Sequence, residues 1–228
     1  MLIALVVVVL ALVLGPNLWV RHVLRKYSLP DDRYRASGSG ADLARHLLDL
    51  HQLNAVKVES TPLGDHYDPD ARAVRLAAAN YRGSSLTAVT IAAHEVGHAI
   101  QHARGEALFT TRQRLARVAV LGEKTGGLLL LAAPLIMLIA RAPQAGLAVL
   151  LLAAGTVVLG TLVHLVTLPV EFDASFNKAL PMLERGRHLH PVDLPHARRI
   201  LTAAALTYVA GSLASLLNLW RWLRVLRR

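Results

Sequence analysis

The chain has 228 residues, no cysteine, and a formal charge of +10 from 25 Lys and Arg against 15 Asp and Glu. Without cysteine there is no disulfide scaffold, no thiolate metal site and no cysteine nucleophile. Hydrophobic residues make up 54% but aromatics only 5%, so the excess is Leu, Ala and Val, the usual filling of membrane helices. The positive charge is therefore read as the basic flanks of such helices rather than as a nucleic-acid surface.

Four apolar segments divide the chain. Leu2–Val20 is long enough to span a bilayer, which takes about 20 apolar residues. No basic residue precedes it and no small-residue cleavage pattern follows, so residues 1–20 are expected to be an uncleaved N-terminal anchor. Arg21, Arg25 and Lys26 follow it directly, and Arg112, Arg114 and Arg117 precede the second segment. Both basic flanks belong to the polar region 21–117, which the charge bias places in the cytoplasm. Residues 118–169 then read as a transmembrane hairpin, Val118–Ala140 and Leu147–Leu168 joined by a short turn. It returns the chain to a cytoplasmic segment, 170–199, carrying Lys178, Arg185, Arg187, Arg198 and Arg199. Residues 200–228 read as a C-terminal membrane helix with a basic tail. If that helix spans, the tail arginines lie on the outer side against the bias, so three to four spans are expected.

Within 21–117, Ala41–Leu53 carries a helical stripe of Leu43, Leu47, Leu50 and Leu53. Ala55–Glu59 alternates and is rich in β-branched residues. Gly64–Pro69 is turn chemistry, and Ala73–Ala77 alternates again, so a hairpin with a long loop is expected. Ser84 and Ser85 can cap a helix from about Leu86 to Ala103, stopping at Gly105.

That helix holds His94-Glu95-Val96-Gly97-His98. Two histidines at i and i+4 share a helix face, so both imidazoles can reach one metal ion. Zinc takes neutral imidazole nitrogens and leaves a fourth position open in catalytic sites. Glu95, beside the first ligand, can take the proton of a metal-bound water as it attacks a carbonyl. Chance alone yields the pattern in roughly 1% of shuffled chains of this composition.

A third ligand is needed. One class of zinc peptidase uses a His six residues after the second His, with an intervening Gly, but Gln101 and Arg104 stand at those positions. His102 lies one turn beyond His98 but would be stretched around the helix. Glu171, directly after the third apolar segment, is the better candidate, because the hairpin brings the chain back to the side it left. The competing reading of Glu171 is a helix-start carboxylate favoured by the helix dipole.

The stretches Asp65–Pro69, Ala92–His102, Val166–Phe172 and Leu201–Val209 resemble, in order and over most of the chain, the YugP-like membrane zinc metallopeptidases. More distantly, Glu171-Phe172-Asp173-Ala174-Ser175 resembles the third-ligand pattern of the HtpX-type membrane proteases, with Ser175 where that family has Asp. The YugP-like pattern commonly has Asn where this chain has Asp173, which makes Asp173 a poor ligand. His66 and Asp68 sit in a turn that the family shares. There they either line the cleft or orient a ligand, or hold the turn by Asx hydrogen bonds. Ser175 joins them as a residue adjoining the ligands.

The resemblance implies a multi-pass bacterial plasma-membrane protease with one zinc ion per chain. The expected fold is mainly α and membrane-embedded, three to four transmembrane helices with a small cytoplasmic α+β zincin-like catalytic unit. The expected partners are membrane lipid and a peptide or protein substrate, with no nucleic acid. The expected activity is zinc-dependent endopeptidase, the alternative an inactive zinc-binding scaffold. An extended substrate is expected to pair with the Arg72–Ala77 strand as with a sheet edge.

Overall fold

The computed structural model describes residues 2–122, 148, 155, 163 and 166–207. The chain forms two compact units, residues 1–106 with 168–228, and residues 107–167. The first unit opens with α1 (Leu2–Lys26) and a short 3-10 turn, Arg35–Ser37. α2 (Gly40–Leu50) starts at a capping box, where the Ser39 hydroxyl accepts from the Asp42 N–H and the Asp42 carboxylate accepts from the Ser39 N–H. Leu43 and Leu47 of its apolar stripe are buried, whereas Leu50 ends the helix exposed.

Three short strands follow, β1 (Lys57–Thr61), β2 (His66–Asp68) and β3 (Ala73–Ala77), then α3 (Ala78–Arg82) and α4 (Leu86–Ala103). The sheet order is β1-β3-β2. β3 pairs in parallel with β1 and antiparallel with β2, His66 opposite Arg75 and Asp68 opposite Ala73. This corrects the expected hairpin, because the segment read as a turn is itself the strand that returns antiparallel onto β3. It also removes β3 as an edge for substrate, since both its sides are occupied.

The second unit includes a helix, α5, over residues 107–122. α6 covers residues 166–185. Its middle, Asp173–Ala179, is wound as a π-helix, and the Leu180 N–H reaches back to the Ser175 carbonyl five residues earlier. A 3-10 turn, Pro191–Asp193, leads into α7, residues 194–207.

α4 is the axis of the first unit. The Ser85 hydroxyl caps it by accepting from the Ala88 N–H, and every residue from Leu86 to Gln101 is buried. A helix that is apolar or small on all sides must be surrounded. α2 and the π-wound part of α6 both pack on it. The approach of α6 requires Gly97, because a Cβ there would lie 2.7 Å from the Ala174 carbonyl oxygen. This contact sets the turn that carries Glu171 and Ser175 against the histidine face of α4.

The expected three to four membrane-spanning helices are not upheld: among the described residues no helix is long and apolar enough to cross a membrane. The first apolar segment does not stop as a separate anchor at Val20. It belongs to a helix that runs on through Arg21 and Arg25 to Lys26, with Val20 and Val23 buried in the core. The Thr87 hydroxyl donates to the Leu24 carbonyl and the Thr87 N–H to that of Tyr27, fastening this end of α1 to α4. The start of the fourth segment is likewise used for packing, since Ile200, Leu201 and Ala203 are fully buried in the same core. Residues 123–140 of the second segment, most of the third and 208–220 of the fourth lie outside the described residues.

Candidate metal centre

α4 presents His94 and His98 one turn apart, their rings 4.8 Å between centroids and nearly perpendicular. α6 brings Glu171 to them from far along the chain. Its Oε2 lies 3.2 Å from His94 Nε2 and 3.2 Å from His98 Nε2. One donor atom from each of the three residues falls within 4.8 Å of the others, and all three are buried.

The surrounding bonds define what these atoms can do. His98 Nδ1 lies 2.8 Å from the Gln101 side-chain oxygen. That amide is oriented by its other end: Nε2 donates to the Val170 carbonyl at 2.9 Å and to the Asp173 carboxylate at 2.7 Å. Both partners only accept, so Oε1 is the atom facing His98, and His98 Nδ1 carries the proton. His94 is held the same way. Its Nδ1 lies 3.0 Å from the Ser175 hydroxyl, which donates to the Leu201 carbonyl at 3.3 Å and so accepts from His94.

Both Nε2 atoms are therefore left with lone pairs, and both face a carboxylate oxygen. Three acceptors converge on one point, which only further protons or a cation can occupy. Spacings of 3.2 Å are close to the edge of a tetrahedron with zinc bonds of about 2.0 Å. Imidazole donors fixed from behind by hydrogen bonds are the usual form of such ligands. The donor set fits zinc.

Burial pushes the Glu171 carboxyl up, but with no metal between them and the imidazoles protonated, the charges and hydrogen bonds of His98 and His94 outweigh it and hold the group well below the usual carboxylate range. Glu95 lies on the same helix between the histidines and is buried at 6% exposure.

The other sequence candidates take separate places. His102 Nδ1 bonds the Tyr67 hydroxyl at 2.8 Å and is not in the donor group. Asp68 accepts from the Asp70 and Ala71 N–H groups and pairs with Arg75, while His66 Nδ1 bonds the Gly64 carbonyl. The Asp68 bonds hold the β2–β3 connection, and the His66 bond holds the turn that enters β2. Asp173 bonds Lys178, Gln101 and Asn177, which more than offset burial and bring its carboxyl down to about 2. Sequence reading passed over Gln101 as anything but a missing ligand. Its position three residues after His98, on the same helix face, was the available signal.

A His-Glu-x-x-His helix completed by a distant glutamate is the metal centre of a zinc peptidase. The comparisons agree. Residues 2–227 match the family described as "Putative neutral zinc metallopeptidase". The chain is 34% identical to the "Putative membrane protease YugP" of Bacillus subtilis (strain 168) over 216 residues, 93% of this chain and 92% of that protein. This chain belongs to that family of zinc metallopeptidases, and its metal is zinc. No solved structure matches it significantly.

Proposed function

We propose that this protein is a zinc-dependent endopeptidase acting on peptide bonds at or near the cytoplasmic face of a bacterial plasma membrane. The observation that supports this most is the convergence of His94, His98 and Glu171 beside a second buried carboxylate, Glu95, that stands outside the donor group. A purely structural site has no use for such a base.

His94, His98 and Glu171 would hold the metal, which supplies an activated water and polarises the scissile carbonyl. Ser175 and Gln101 bond the far nitrogens of the two imidazoles. Glu95 accepts the proton of the attacking water and passes it to the leaving nitrogen. The burial of all four side chains keeps competing water away from these charges.

The membrane assignment rests on the relative's name and on Arg21, Arg25 and Lys26, which end α1 after its apolar run and suit an anionic lipid surface. Lipid and a peptide or protein substrate are the partners, and nucleic acid is not. An Asp70→Cys variant of this Cys-free chain should resist an impermeant maleimide in intact cells and react after permeabilisation. Labelling of intact cells would move the catalytic unit to the outer face.

The substitution Glu95→Gln tests the chemistry. It keeps size and helix propensity but removes the proton acceptor. Zinc content should be unchanged, and cleavage of casein or a model peptide should fall by about 10²–10⁴. Equal cleavage by both proteins would remove Glu95 as the base. Absence of cleavage in both would favour a scaffold.

A further inference from the structure

Gln101 is a fully buried amide, 1% exposed, on a helix whose residues, apart from its histidines, Glu95 and two threonines, are small or apolar. A Leu or Met would fill the same space without the cost of desolvating an amide. Its bonds are also directional. The amide nitrogen is fixed by Val170 and Asp173, and the oxygen is aimed at His98. Asp173 is held in turn by the Lys178 ammonium and by Asn177 Nδ2 at 2.9 Å, and Lys178 also pairs with Glu106 at 3.0 Å. A chain of oriented groups thus runs from the edge of the unit to one zinc-facing imidazole.

We propose that Gln101 is a positioning residue of the metal centre: it holds His98 with Nδ1 protonated and the Nε2 lone pair directed at the point shared with His94 and Glu171, while Asp173 fixes which end of the amide faces His98. This rests on the zinc-site reading but not on peptide cleavage. The two ends of the amide have separable roles. The nitrogen ties α4 to α6, and the oxygen orients the ligand. If only the tie mattered, any residue lacking the donor would weaken the site. If the acceptor matters, a carboxylate in its place should restore the site.

The test is zinc affinity by chelator competition on the purified full chain, with circular dichroism as the check on folding. Gln101→Leu should bind zinc about 10–100-fold more weakly than wild type, the usual effect of removing a ligand's hydrogen-bond partner. The double variant Gln101→Glu, Asp173→Asn places a carboxylate acceptor at His98 and an amide donor behind it; the bond to Val170 is lost, and Lys178, which shared the replaced Asp173 oxygen, keeps Glu106 as its partner. Its affinity should return to within about threefold of wild type. A folded Gln101→Leu protein with wild-type affinity would overturn the proposal, as would a double variant no better than Gln101→Leu.

Should the Leu variant not fold, the wild-type protein still decides the matter. In the zinc-free, 15N-histidine-labelled chain, at a pH where the imidazole is neutral, His98 should be protonated at Nδ1, facing the Gln101 oxygen, and protonation at Nε2 would refute the assignment. None of these readouts uses proteolysis, so an inactive zinc-binding protein would leave the result intact and only the peptidase reading would fall.

Discussion

Glu171 and Asp193 are both buried carboxylates, at 1% and 2% exposure, yet their surroundings are opposite in kind. Asp193 meets donors. The Arg33 guanidinium bonds both its oxygens, at 2.7 and 2.8 Å, and the Tyr34 hydroxyl donates to one of them. Burial raises the Asp193 carboxyl, but Arg33 and Tyr34 outweigh it and bring it below its ordinary value. Burial and the same bond push the Tyr34 hydroxyl up to about 12. This cluster clamps the segment before α2 to the turn before α7, whatever the protein has bound. The Glu171 oxygen instead faces two imidazole nitrogens that, in the tautomers set by Ser175 and Gln101, are acceptors too. A carboxylate surrounded by permanent donors stabilises the fold. One placed among imidazole nitrogens depends on what lies between them, protons or a metal ion.

The largest consequence of this contrast is that zinc should stabilise the protein strongly. At a thousandfold excess of free zinc over its dissociation constant the gain is about 4 kcal/mol. Chemical denaturation with and without chelator measures it. Overlapping curves would make Glu171 another structural clamp.

Next in size is Asp193→Ala, which leaves the buried Tyr34 hydroxyl without its acceptor. Stability should fall by about 1–3 kcal/mol in zinc-free and zinc-loaded protein alike, with zinc affinity of the folded protein unchanged. Because the Asp193 carboxyl is lowered on folding, the clamp acts fully above the ordinary carboxylate range. It is lost as pH falls through the lower folded value. The difference between wild type and variant should therefore shrink in acid, and a constant difference would place the effect elsewhere. The smallest effect is expected from Ser175→Ala. It removes the acceptor for His94 Nδ1 while sparing both imidazoles, and it should weaken zinc binding by about tenfold, read by chelator competition.

Much of the centre could be read from residue spacing. The serine cap, the limits of α4 and the shared face of His94 and His98 all follow from local rules that a single helix obeys. Glu171 could be placed near them because the chain has to return after the third apolar segment. The groups behind the ligands depend on tertiary packing and carry weaker signals. The π-winding of Asp173–Ala179 and the close approach at Gly97 arise only when α6 meets α4. The strand order escaped because a three-residue strand, His66–Asp68, carries the same polar residues as a turn. Among the described residues, the first segment and the start of the fourth read as spans for a related reason. Apolar residues such as Val20, Val23, Ile200 and Leu201 look alike whether they face lipid or a protein core, and here they pack around the helix that carries the histidines.

The central claim is that Glu171 completes a zinc centre with His94 and His98. It is tested most directly by metal analysis and zinc affinity of the wild-type chain beside Glu171→Ala, both purified and shown to be folded. The account predicts one tightly held zinc per wild-type chain and loss of stoichiometric zinc in the variant. A folded Glu171→Ala protein that keeps one zinc with unchanged affinity would contradict it.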